Sequence, residues 1–423
     1  MNKKEKKGAF TMTLKKNVAV AIMSLGLVGS LTACSTAASS GSSQSSNTSG
    51  NSSSSSSPVT VAAITALSSS VADLGVPGYN AEALAISQLN ANGGLLGRQV
   101  KLEKFDAAAK PNLGSQDAQT AILQDHVAAL FGPVSSAVAA AIEPVAAQNH
   151  TLVFFHTSND ISLTTKGFTK YAFQVVPNTN MESTALALLF KEKGWTKIAT
   201  ISPNYSYGRD TISHFLDVLK KEGVHYTIVN QQWPELGTTD YSSYISTLLA
   251  SKPQAVFSPL YGGDLVSFAK QGNQFGLFQK TNFVSMFGVT VLQDLGKQAP
   301  VGAWGYARAP FWAFNSSDMT NFVNAYRQKY NEYPTSYALM AYTAVQTWAY
   351  GVKKAGTFDA DKVADALSGA TVPTIRGPIT IQQSDHQADI GEWAGQVTLN
   401  SQYPFASWKN TVYFTPGQIM GTK

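Results

Sequence analysis

The chain of 423 residues carries 31 basic and 26 acidic residues, a formal charge of +5, yet six lysines and a single acid fall in residues 1–33. Residues 34–423 hold 25 of each sign, so the basic excess is no evidence for nucleic-acid binding, and no stretch of this part reads as a basic stripe. One cysteine in the whole chain excludes an internal disulfide.

The elements begin with a lysine-rich stretch, MNKKEKKGAFTMTLKK. The apolar run NVAVAIMSLGLVGSLTA after it is short for a membrane span and suits a secretion signal over residues 1–33. At its end Leu31-Thr32-Ala33-Cys34 resembles the lipobox of bacterial lipoproteins, which implies Cys34 as the site of lipid attachment and the first mature residue. Of the 23 residues from Ser35 to Ser57, 14 are serine. Such a segment has no apolar face to bury, so residues 34–57 are expected to be an acylated cysteine on a flexible linker, spanning roughly 25–30 Å.

From Pro58 onward 366 residues remain, enough for two domains. PVTVAAITAL reads as a strand. YNAEALAISQLNANGG spaces Ala81, Leu84, Ala85 and Leu89 as a helix stopped by glycine. RQVKLEKFD, VAALFGP and TLVFF read as further strands, with helices SQDAQTAILQDH and SSAVAAAIEPVAAQN between them. After YAFQVVPNTN the pattern restarts: TKIATIS, a helix with Ile212, Phe215, Leu216 and Leu219 on one face, HYTIVNQQW, DYSSYISTLLASK, PQAVFSP, GDLVSFAKQGNQFG and TNFVSMFG. Strands alternating with helices of this length imply parallel sheets covered on both faces. The fold class expected is therefore α/β, with two doubly wound lobes. The long helical segment from Ser317 to Gly356 is expected to return to the first lobe. The β-rich tail from RGPITI to NTVYF is expected to complete the second.

Enzyme signatures are missing: there is no phosphate loop and no GxSxG elbow. The six histidines show no zinc spacing; His156, at a strand end, reads as structural or cleft-lining rather than as a base. No cofactor and no metal are expected. Ligands of open α/β sheets bind at the carboxyl ends of strands. There, FGPVSSAVAAA places Ser135 and Ser136 at a helix start, suited to a carboxylate. FFHTSNDIS offers Thr157, Ser158 and Asn159. ISPNYSYGRD and FSPLYGGDL bring Tyr207 and Tyr261 from the other lobe. Together they suit a cleft for a small organic acid.

AEALAISQLNANGGLLGRQVKLEKFD, LFGPVSSAVAAAIEPVAAQN, YAFQVVPNTN and SYGRD resemble the solute-binding proteins of ABC importers for branched-chain amino acids, the leucine/isoleucine/valine-binding type. The resemblance implies a type I periplasmic-binding-protein fold, two lobes joined by three crossover strands. It assigns residues 58–175 plus about 308–376 to lobe 1, and 176–307 plus about 377–423 to lobe 2. It further implies a non-enzymatic, monomeric receptor, lipid-anchored on the extracytoplasmic face of the cell membrane, that closes on its solute and docks on an ABC-transporter permease. Ser135 or Ser136 would bind the solute carboxylate, Thr157, Ser158 and Asn159 would share carboxylate and ammonium, and Tyr207 and Tyr261 would face them.

Phe287 falls where amino-acid binders carry the acid that pairs with the ammonium. A buried ammonium without an anion is costly, so Asp264 or Asp294 must replace that acid or the ligand is of another class. Asp210 reads as a helix cap. The ligand expected first is an amino acid. The alternatives are an amine-free, aromatic carboxylate or an amide, or a ligand-sensing role beside a membrane receptor. Arg308 is available to an acid, or to an interlobe salt bridge.

Overall fold

A computed structural model describes residues 57–421; the signal stretch, Cys34 and the serine tract as far as residue 56 lie outside the described residues. The first sheet is built from β1 (Val59–Thr65), helix α1 (Ala72–Ala91), β2 (Val100–Asp106), α2 (Pro111–Leu123), β3 (Ala129–Phe131), α3 (Ser136–Gln148), β4 (Leu152–Phe155) and β5 (Ala172–Gln174). Its order is β2-β1-β3-β4-β5, all parallel. Both faces are covered, which is why its strands read as continuous apolar runs. Val61, Phe131 and Phe154 enter one core, while Ala62, Leu130 and Val153 enter the core on the opposite face.

The second lobe follows with α4 (Thr179–Lys193), β6 (Lys197–Ile201), α5 (Ser206–Lys221), β7 (Thr227–Gln232), α6 (Ser242–Ser251), β8 (Ala255–Phe257), α7 (Gly262–Gln274), α8 (Leu277–Lys280), β9 (Asn282–Ser285), α9 (Val289–Leu295) and β10 (Trp304–Ala307). The chain then runs through α10 (Ser317–Tyr330), α11 (Ser336–Ala355), α12 (Ala360–Leu367) and the hairpin β11 (Thr371–Thr374) and β12 (Gly377–Thr380). It ends in β13 (Glu392–Thr398), β14 (Ser407–Phe414) and α13 (Pro416–Ile419). The second sheet has the order β14-β13-β10-β9-β8-β6-β7. It is parallel from β7 to β10, and antiparallel at β13 and β14.

Two expectations shift. The single long helix from Ser317 is two helices, because Asn331 takes a left-handed conformation (φ 57°) and Pro334 disfavours helix at the residue before it. The hairpin β11–β12 does not lie with the second sheet: Val372, Ile379, Ile381 and Ile390 pack with Val61 and Phe131, beside α11, which lies along α1. The final crossover therefore falls at 390–392 rather than near 377.

Gly132, just after β3, has φ 110°, and a Cβ there would lie 2.2 Å from the Ile64 carbonyl oxygen. Glycine lets the carboxyl ends of β1 and β3 approach, and so sets the floor of the first lobe's loops.

Glu143 of α3 is 4% exposed, one of its oxygens has no partner, and burial pushes its carboxyl up to about 8. Because the folded value exceeds the unfolded one, the stability this protonated carboxyl contributes is fully present below pH ~4.5 and is lost as pH rises through about 8. Glu143→Gln is expected to remove that decline, a difference of about 1–3 kcal/mol over the window, measured by urea unfolding of both proteins at pH 5 and 8. Equal declines would show that another group titrates.

Candidate functional site

A cleft lies where the carboxyl ends of β8, β9 and β10 meet the starts of α1 and α11. Its second-lobe walls are Tyr261, Met286, Val289 and Tyr306; Asp73, Leu74 and Tyr337 close it from the first. Gly262 faces Asp73 across the cleft: a Cβ there would make ordinary contact with Asp73 Oδ2, 3.8 Å away.

Tyrosines give the region its character: Tyr261, Tyr306 and Tyr337 line the cleft, with Tyr205 and Tyr207 beside Tyr261. The Tyr205 and Tyr261 hydroxyls are 2.8 Å apart, the Tyr207 ring meets that of Tyr261 edge-on at 5.9 Å, and the Tyr207 hydroxyl points at Met286 Sδ, 3.7 Å away. Burial pushes the phenols of Tyr205 and Tyr207 far above the ordinary range and that of Tyr337 up to about 12. They are neutral hydroxyls on apolar rings, not anions.

Charge enters at two places. Arg308, just past β10, is 7% exposed. Its Nε is 2.7 Å from Glu182 Oε1, its Nη2 is 3.1 Å from Glu182 Oε2, and its Nη1 donates to the Thr157 carbonyl at 2.8 Å. Burial opposes the charge, but Glu182 outweighs it and holds the guanidinium protonated. The pair is a neutral clasp between the two lobes, which decides between the two readings of Arg308 in favour of the salt bridge. The second place is Asp73, exposed at the cleft mouth, whose carboxyl is raised first by partial burial and further by the nearby Asp294. Two acids facing one region favour a cation between them.

The residues expected from sequence divide by what their side chains touch. Tyr207 and Tyr261 stand together, and Tyr261 lines the cleft. Ser158 donates to the Pro133 carbonyl at 2.8 Å, and Asn159 donates to Glu182 Oε2 at 2.6 Å, so both side chains are committed to the fold. Thr157 Oγ1 lies 2.9 Å from His156 Nδ1. Ser135 occupies the N-cap of α3 without a side-chain cap bond, and Ser136 Oγ accepts from the Asp160 N–H at 3.3 Å; neither lines this cleft.

Phe287 must be corrected. It is fully buried among Phe278 and Phe283, turned away from the cleft. Trp408 of β14 lies against Gly305, where a Cβ would meet its indole at 2.5 Å, and donates to the Phe287 carbonyl at 2.9 Å. That grip fixes the loop with Met286, Gly288 and Thr290 at the cleft instead. Asp210 caps nothing: it is exposed, and Tyr205 holds the N-cap of α5. Asp264 binds the Gly237 N–H at 3.0 Å, outside the cleft lining. Asp73, Thr335, Ser336 and Tyr337 are additions that the sequence reading lacks; the acid beside Leu74, in the segment after the first strand, is the one signal for them.

Residues 58–402 match a protein family described as periplasmic binding protein. A Leu/Ile/Val-binding protein of Rhizobium johnstonii is 27% identical over 342 residues, covering 76% of this chain and 87% of its own. A Leu/Ile/Val-binding protein homologue of Brucella melitensis is 26% identical, covering 79% and 91%. Among solved structures, a solute-binding protein of an ABC transporter from Rhodopseudomonas palustris, in complex with 3,4-dihydroxybenzoic acid, superposes with a TM-score of 0.75 at 21% identity, covering 85% and 98%. A leucine-binding protein of Thermotoga maritima gives 0.71 at 19%, covering 84% and 98%.

Proposed function

Since this chain belongs to the periplasmic binding protein family, we propose that it captures a small, mainly apolar amino acid between its lobes and delivers it to an ABC-transporter permease. The observation that carries the ligand class is Asp73: a carboxylate at the mouth of a cleft walled by Tyr261, Met286, Val289 and Tyr306. It supplies the anion for an ammonium that position 287 lacks. The hydroxyl-bearing start of α11, which lines the cleft, offers the carboxylate a place at Thr335 and Ser336. Leu/Ile/Val-binding relatives support this reading.

The protein acts by closure. Solute binds better to the closed pair of lobes than to the open one, and so selects it. Nothing in this cycle needs catalysis. Cys34 anchors the mature, monomeric receptor to the outer face of the cell membrane, and the serine tract tethers it.

A second reading, an amine-free aromatic carboxylate, draws on the absence of an acid at position 287, the tyrosine-rich cleft and the aromatic-acid complex of the Rhodopseudomonas neighbour. Thermal unfolding against leucine, isoleucine, valine, 4-methylpentanoate, benzoate and 4-hydroxybenzoate separates the two. A solute at 100 times its Kd adds about 2.7 kcal/mol. A shift with the branched-chain amino acids alone supports the first reading; a shift only with the amine-free acids replaces it by the second. A sensing role in place of import predicts the same binding but no solute uptake by cells carrying the protein.

A further inference from the structure

Tyr207 does not line the cleft, but Met286 does. The Tyr207 hydroxyl meets Met286 Sδ at 3.7 Å, and among the described residues that thioether is its one hydrogen-bond partner. Met286 packs on the cores at both faces of the second sheet. Its loop is held in place by Trp408, which donates to the neighbouring Phe287 carbonyl. The methionine side chain therefore meets the cleft on one side and the phenol on the other.

That contact is chemically unequal. A phenol O–H is a good donor and a thioether sulfur a weak acceptor, so the Tyr207 hydroxyl is under-used where it stands. Its ring lies edge-on to Tyr261 at 5.9 Å and 5.8 Å from Tyr205, which keeps the hydroxyl where it is. Glu182 and Arg308 act on it electrostatically, but those two groups are paired with each other. An oxygen acceptor on a solute would serve the phenol better, and Met286 stands in its way. Methionine suits that task, because its unbranched, three-torsion side chain fills irregular gaps closely.

We propose that Met286 is a specificity-determining residue. By covering the Tyr207 hydroxyl it keeps the second-lobe wall apolar, and so selects solutes whose end against that wall carries no hydrogen-bonding group. This rests on the solute-binding reading of the cleft. Val289, Val291 and Ala307 continue the apolar wall, and the phenol behind Met286 is the polar group that a shorter side chain at 286 exposes.

The test has a solute-free arm and a solute arm. In the free protein, methyl NMR of carbon-13-labelled methionines is expected to show a nuclear Overhauser contact between the Met286 methyl and the Tyr207 ring. The Met286 signal is assigned by its loss in Met286→Leu, and the ring signals by their change in Tyr207→Phe. No contact overturns the proposal whatever the solute is. In the second arm, calorimetry compares leucine with asparagine and benzoate with 4-hydroxybenzoate, pairs of similar size in which the second member adds a polar end. The wild-type protein and Met286→Leu are expected to prefer the apolar member at least ten-fold. In Met286→Ala that preference should fall at least ten-fold, and adding Tyr207→Phe should restore it. An unchanged preference in Met286→Ala overturns the proposal and leaves the solute-binding reading intact. So does a loss of preference that persists without the Tyr207 hydroxyl, since the space at 286 and not the phenol would then read the solute. If neither pair binds, the solute-binding reading loses its ligands and the selectivity falls with it, while the NMR arm still decides whether Met286 covers the phenol.

Discussion

Arg308→Met is expected to cost the fold about 3–5 kcal/mol, the usual penalty for stranding one member of a buried ion pair. Glu182 would keep only the Asn159 amide at 2.6 Å, and the Thr157 carbonyl would lose its donor. Urea unfolding of the variant measures the loss. The double variant Arg308→Met with Glu182→Met should recover most of it, because removing both charges removes the stranded one. A single-variant loss under 1 kcal/mol would mean that Glu182 takes up a proton or reaches water. The pair joins the lobes, so the single variant should also weaken solute binding, by favouring the open arrangement.

Asp73→Asn should weaken binding of an amine-bearing solute by roughly thirty-fold or more, the effect of about 2 kcal/mol. Affinity for amine-free acids should hold or rise, since the carboxylate that repels them is gone. Calorimetry with leucine and 4-methylpentanoate, which differ in the amine, makes the comparison direct. Asp73 lies at the cleft mouth and bears no part of the core, so loss of fold does not confuse the result. Equal effects on both solutes would remove Asp73 as the ammonium partner and turn attention to Asp294.

The strands and helices of both lobes are legible in the sequence because their periods are local: Val61 and Ala62 alternate between two cores, and Ile212, Phe215 and Leu219 share one helix face. The break at Asn331 and Pro334 is also present in the sequence, but the longer apolar pattern running across it masks it. The features that escape a sequence reading are non-local. Arg308 and Glu182 are 126 residues apart, and no periodicity joins them. The direction of Phe287 is set by Trp408 from the last strand, 121 residues on. A position-by-position match with amino-acid binders therefore finds an acid missing at 287 but wrongly assigns the replacement side chain to the cleft. Asp73 is hard to find because α1 begins at Ala72, well ahead of the apolar face that marks it, with Pro77 within it.

The final crossover at 390–392 has a consequence for how this chain is made. The core containing Val61 and Phe131 is finished by Ile379, Ile381 and Ile390, and the second sheet by β13 and β14. A ribosome that has released the first 300 residues has therefore released neither lobe whole, and the usual order, in which an N-terminal domain folds while the rest is still being synthesised, is closed to this protein. Both lobes wait for the last tenth of the chain and acquire their stability together.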